Sequence, residues 1–141
     1  MITITQKWKG KKIEAIAQEI EYAVKSALNA LAVGVWNKAR DFAPRRTGNL
    51  KRSIILAPSD YEYAIQVGAG YGEYVEFGTS PHIITPKRAK ALHWISEGKH
   101  IFRKKVHHPG TKGQYFMKRA FEWGKEQVDP IFSKHISVIL K

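Results

Sequence analysis

Residues 61–67, Tyr61-Glu62-Tyr63-Ala64-Ile65-Gln66-Val67 (YEYAIQV), decide the fold class, because large apolar residues alternate there with smaller or polar ones. That two-residue repeat belongs to a half-buried strand. Just upstream, Arg52–Ala57 is a second candidate strand, with Pro58-Ser59-Asp60 as the turn between the two. Downstream, Ala91–Ile95 and His100–Val106 form another pair around the turn-like Ser96-Glu97-Gly98-Lys99. Four short strands joined in this way predict a small antiparallel sheet within residues 50–106, covered on one face.

Outward from the strands the period changes. In residues 11–42, Ile13, Ile16, Ala17, Ile20, Val24, Ala27, Leu28, Leu31, Val35 and Ala39 recur at three- and four-residue steps. That spacing puts them on one stripe of a long helix, with Lys12, Glu14, Glu19, Glu21, Lys25, Asn29 and Lys38 largely opposite. Pro44 stops it, since the residue before a proline is steered out of helical geometry, and Gly34 is a candidate break. The segment 113–141 returns to helical spacing through Met117, Ala120, Phe121, Val128, Ile131, Phe132, His135, Ile136 and Ile139. An interruption is expected at Asp129-Pro130. Helix, strands, helix predicts an α+β fold in a single domain, with residues 1–10 as an N-terminal arm.

Composition narrows the class of protein. With 43% apolar and 26% charged residues the chain reads as globular, and the absence of cysteine excludes disulfides and thiolate metal sites. No apolar leader stands at the N-terminus, and the longest apolar run, near Ala30–Trp36, is far short of the roughly 18–20 residues that span a bilayer. No membrane association is expected. The net charge of +12 is uneven: Pro86–Arg119 holds ten Lys/Arg against one acid, Glu97, whereas Lys11–Phe42 holds five against four. The positive field, and with it the expected attraction to polyanions, belongs to the second half of the chain.

No motif for chemistry emerges. The glycines of Gly68-Ala69-Gly70-Tyr71-Gly72 miss the dinucleotide spacing, because Glu73 stands where the third glycine belongs, and no Gly-Lys-Ser/Thr follows. The six histidines show neither H-x-x-x-H nor H-E-x-x-H spacing. Thr79 and Ser80 lie near His82 but lack the elbow that activates a hydroxyl. Glu73 and Glu76 could share one side of a helical turn. With Arg45, Arg46, Lys51 and Arg52 available, Glu76 reads as a buried or interfacial anchor in an ion pair rather than as an acid–base group. No catalytic residue, metal site or cofactor is therefore expected. Trp94 and Phe102 fall at core-like positions of their strands. That leaves Lys87, Arg88, Lys90, Arg103, Lys104 and Lys105 as the candidate contacts to DNA or another polyanion, in a non-specific nucleic-acid-binding module.

Three motifs stand in order: Ala43-Pro44-Arg45-Arg46-Thr47-Gly48-Asn49-Leu50-Lys51-Arg52-Ser53-Ile54; Tyr74-Val75-Glu76-Phe77-Gly78-Thr79; and His108-Pro109-Gly110-Thr111 leading into Phe116-Met117-Lys118-Arg119-Ala120-Phe121. Over about residues 43–121 they resemble the gene-ten-type tail component family of long-tailed phages. Its members are neck or tail-completion proteins, akin to the minor tail protein Z of lambda-like phages. The resemblance implies an α+β structural subunit without catalytic activity, assembled in the host cytoplasm and residing in the virion at the neck or tail. It further implies a homo-oligomeric ring matching the tail's symmetry, such as a hexamer, which touches neighbouring head–tail connector and tail proteins and surrounds genomic DNA in a channel. On this reading Tyr74, Glu76, Phe77, Gly78, Thr79 and Phe116 are candidate subunit or partner contacts. The family often has prolines in a P-F-x-x-P-A pattern, where this chain has Tyr115 and Arg119.

Overall fold

Alanine, more than isoleucine, seats the long helix. The computed structural model describes residues 1–4 and 10–140, so residues 5–9 of the expected N-terminal arm lie outside it. Helix α1 runs Ile13–Phe42 and buries Ala23, Ala27, Ala32, Val35 and Ala39. These small side chains let the C-terminal helix α4, Phe116–Ser137, approach closely and antiparallel. Gly34 is no break: a Cβ there would meet the Trp123 ring at 3.0 Å, so the glycine makes room for a neighbour. Ile13 and Ile20 of the expected stripe are exposed. Thirty helical residues reach ~45 Å and twenty-two only ~33 Å, so α1 overhangs its partner. Ala43, before Pro44, is extended and ends α1 as expected.

The interruption expected at Asp129-Pro130 does not occur, and α4 runs through it. Proline removes one intrahelical donor, which leaves the Glu126 carbonyl without its partner four residues on. Glu126 and Pro130 both face solvent, where water can take that place.

The helix α2, Asn49–Ser53, leads into β1, Ile54–Pro58, which pairs antiparallel with β2, Tyr63–Val67, from Ile54↔Val67 to Pro58↔Tyr63. The connecting turn closes with the Ser59 N–H donating to the Glu62 carbonyl at 2.8 Å. Val35, Ala39, Ala43, Leu50, Ile54, Phe116 and Ala120 form the core between α1, α4 and this hairpin. Trp36 Nε1 donates to the Ile54 carbonyl at 2.9 Å, and the Tyr63 hydroxyl donates to Asn29 Oδ1 at 3.2 Å, fixing the hairpin on α1.

After helix α3, Gly72–Phe77, the chain leaves the body as a β-ribbon over residues 78–112. Its strands are β3 (Gly78–Thr79), β4 (His82–Ile84), β5 (Leu92–Ser96), β6 (Lys99–Arg103), β7 (Val106–His108) and β8 (Thr111–Lys112). Pairs Gly78↔Lys112 and Thr79↔Thr111, then His82↔His108 to Ile84↔Val106, keep one antiparallel register. Pro81 and Pro109, which lack N–H donors, sit where its ladder is interrupted. Beyond Ile84↔Val106, seven residues (85–91) face only two (104–105), and a second register begins at Leu92↔Arg103. The tip is the two-residue Glu97-Gly98 turn, both residues at positive φ.

The α+β class is as expected, but the strands pair two by two instead of joining in one sheet. The outer half of the ribbon lacks a covering layer. Trp94 is 39% exposed and Phe102 59%, so neither is the core residue that strand alternation implies. β5 and β6 pack chiefly on each other. His93 stacks on Phe102 and on His100, with ring centroids 4.6 and 5.0 Å apart.

Candidate functional site at the foot of the ribbon

The two strands of the ribbon leave and re-enter the body at one place, and Glu76 sits there. It is the one buried charged side chain among the described residues, at 7% exposure. Its partner is not an arginine. Oε2 accepts the Met117 N–H at 2.9 Å and Oε1 the Lys118 N–H at 3.0 Å, at the second and third positions of α4. Those are donors that a helix leaves unpaired and that an N-cap oxygen ordinarily takes. Tyr115, the residue before α4, is at φ 50° and makes no side-chain cap, so a carboxylate from α3 does the work. The helix dipole favours the negative charge there.

The backbone completes the clasp. The Gln114 N–H donates to the Val75 carbonyl at 2.9 Å and the Tyr115 N–H to the Glu76 carbonyl at 3.1 Å. Left-handed Tyr115 turns the ribbon into the helix, a φ that proline's ring forbids. This accounts for the departure from the P-F-x-x-P-A pattern at position 115. Arg45 and Arg46 are exposed, and Lys51 pairs with Asp41 at 3.3 Å. The expected arginine–glutamate anchor is thus corrected to a helix cap.

Two glycines let the strands cross above the clasp. Gly78 and Gly110 are at φ 79° and 86°. A Cβ on Gly78 would fall 2.3 Å from the Thr111 carbonyl oxygen, and one on Gly110 would fall 2.2 Å from that of Thr79. The threonines lock the crossing: the Thr111 N–H donates to Thr79 Oγ1 at 3.1 Å, and the two hydroxyls lie 3.1 Å apart. His108 Nδ1 accepts the Gly110 N–H at 3.0 Å, while His82 stacks on His108 and its Nδ1 donates to the Ser80 carbonyl. These histidines shape a turn. Among the described residues no group of three or more His, Asp or Glu could hold a metal ion.

Of the expected contact residues, the structure divides two from four. Phe116 is fully buried in the core and Glu76 is committed to α4, so neither is presented to a partner. Tyr74 and Phe77, three apart on α3, are 60% and 67% exposed. Tyr74, Gly78 and Thr79 line an open hollow of about 720 Å³ with Ile84, His108 and Thr111. Glu73 is exposed on the same helix and is not brought beside Glu76 as a pair. Lys87, Arg88, Lys90, Arg103, Lys104 and Lys105 are all exposed. The carbonyl-to-glycine crossing escaped sequence reading. The glycines of F-G-T and P-G-T, equidistant in the ribbon's first register, were its signal.

The body thus turns its buried carboxylate to its own backbone and carries a ribbon with uncovered aromatic residues. Residues 10–78, just under half of the chain, match the HK97-gp10-like family model, described as bacteriophage HK97-gp10, putative tail-component. The match takes in α1, α2, β1, β2 and α3 and ends at the first residue of the ribbon. It covers the first motif and the second as far as Gly78, and not the H-P-G-T and F-M-K-R-A-F segments, which instead meet the second motif in space. The match supports a structural role as a tail component of a tailed phage. No curated protein and no solved structure matches the chain. Among the described residues no helix is long and apolar enough to cross a membrane.

Proposed function

We propose that the protein completes the head-proximal end of the tail and helps join it to the head, assembling there as a homo-oligomeric ring, six-fold or another multiple of three. The family match over residues 10–78 carries the reading of a tail component. The exposed pair Tyr74 and Phe77, beside the hollow lined by Gly78 and Thr79, supports a subunit or partner contact at the foot of the ribbon. Aromatic residues at this exposure contribute nothing to the monomer's core and much to a desolvated interface. The neighbours in such a joint are head–tail connector and tail proteins.

Deletion of the gene should leave DNA-filled heads and unjoined or defective tails in electron micrographs. Normal infectious particles from the deletion would sink the proposal. Native mass of the purified protein, alone and with tail lysate from the deletion strain, gives the ring's copy number.

A further inference from the structure

The register shift in the ribbon has an electrostatic result. Residues 85–91 contain Lys87, Arg88 and Lys90, and the facing segment contains Arg103, Lys104 and Lys105. Pairing of Leu92 with Arg103 sets the two triplets against each other as a collar partway up the ribbon. All six side chains are exposed. The carboxylate within the ribbon, Glu97, is at the tip, five residues beyond Leu92 and so ~17 Å away along a strand. That is about twice the Debye length at physiological salt. The ion pairs among the described residues, Lys11–Glu19, Lys25–Glu21, Lys51–Asp41 and Lys118–Glu122, all lie on the body and involve none of the six. A solvated face ordinarily mixes its signs, as α1 does.

We propose that this collar binds double-stranded DNA through its phosphates, without reading sequence. Three observations choose this occupant. Pairing of one collar with the collar of a second copy is opposed, because each carries the same six exposed cations. Four of the six cations are lysines, point charges on flexible stems that meet phosphates without a fixed geometry, and the other two are arginines, whose planar fork also matches phosphate. His93 is taken up by stacking on His100 and on Phe102, and six exposed cations outnumber the exposed rings of Trp94 and Phe102 along this stretch, which favours phosphate over bases. Duplex DNA offers phosphates most densely, about one charge per 1.7 Å. The inference is independent of the head–tail joint: a protein that completes tails without touching DNA would assemble normally and fail the assay below.

The test uses the full chain, a short labelled duplex of mixed sequence and a salt titration by fluorescence anisotropy. Engagement of all six cations gives a slope of log K against log salt of about −5, at roughly −0.9 per phosphate contact. Arg103→Ala/Lys104→Ala/Lys105→Ala and Lys87→Ala/Arg88→Ala/Lys90→Ala should each flatten the slope by about 3. Lys12→Ala/Lys125→Ala/Lys134→Ala, equal in charge but on the body, should leave it unchanged. Circular dichroism and native mass confirm that all variants keep fold and assembly. Absence of binding at low salt overturns the proposal, and so does an equal slope in all three variants. Displacement of the duplex by polyglutamate at matched charge would assign the collar to an acidic protein face instead. Tighter binding of single strands than of duplex would also reject it, shifting the weight to Trp94.

Discussion

Replacing Glu76 by alanine tests the clasp directly. The substitution strips acceptors from the Met117 and Lys118 N–H groups and removes a negative charge from the start of a twenty-two-residue helix. A hydrogen bond to a charged group contributes about 1.5–3 kcal/mol, so two set a ceiling near 6. Met117 is only half-buried and Lys118 is exposed, so water replaces part of that loss. We expect a destabilisation of about 2–4 kcal/mol, larger than the ~1 kcal/mol of an ordinary cap. For a chain of this length that lowers Tm by on the order of 10 °C. Glu76→Gln keeps one acceptor but points an amide donor at the other N–H, so its loss should be intermediate. Calorimetry at one fixed, low protein concentration keeps assembly from masking the effect. Amide exchange at Met117 and Lys118 should rise in the alanine variant before global unfolding. Arg45→Ala and Arg46→Ala should stay within about 0.5 kcal/mol of the parent. A Glu76→Ala protein that melts with the parent, or arginine variants as unstable as it is, would refute the cap.

Other expectations follow from the same geometry. Gly110→Ala puts a Cβ against the Thr79 carbonyl at a φ that costs about 1–3 kcal/mol, so protease should cut within 78–112 while helical dichroism persists. Tyr74→Ser/Phe77→Ser should leave the monomer within ~0.5 kcal/mol yet lower the native mass, because both rings are already in water; an unchanged assembly would clear α3 of a contact role. The Lys25 ammonium, and after it the Tyr61 hydroxyl, hold the Glu21 carboxyl below the usual carboxylate range, and Glu21 holds Lys25 above the usual lysine value. The stabilising pair is therefore present at neutral pH. It is lost as pH falls through Glu21's lowered pKa and, at the other end, as pH rises through Lys25's raised one. Melting of Glu21→Gln should be flatter than the parent's across the acid range, and a parallel profile would contradict the pairing.

The helices were legible because their stripes and stops are local: the three- and four-residue steps before Phe42 and the proline at 44 need no knowledge of the rest of the chain. The β1–β2 and β5–β6 hairpins were legible for the same reason, as was the turn at Glu97-Gly98, whereas the short pairs β3–β8 and β4–β7, whose strands lie more than twenty residues apart, were not. What alternation cannot say is whether anything covers the alternating face. Trp94 and Phe102 carry the pattern of a half-buried strand, yet the tertiary arrangement leaves them in solvent. Pro130 misled in the opposite direction, since a helix tolerates it where water reaches the freed carbonyl. Glu76 was recognised as a buried or interfacial anchor, but its partners are backbone N–H groups 41 and 42 residues away, and no residue type announces those. The two basic triplets were visible separately. The shift from Ile84↔Val106 to Leu92↔Arg103, which brings them into the same part of the ribbon, is not announced by any residue type.

The clasp and the glycine crossing shut the ribbon off from the body at its root. Everything between Thr79 and Thr111 is, from the body's side, a closed loop, and doubling such a loop adds only about 0.6 kcal/mol of closure entropy. Lengthening or trimming the outer hairpin in matched pairs moves no residue of the core. The family match, which stops at Gly78, falls on that same boundary. The ribbon is thus a lever whose length and tip can be altered in the laboratory without recutting the packed body that carries it.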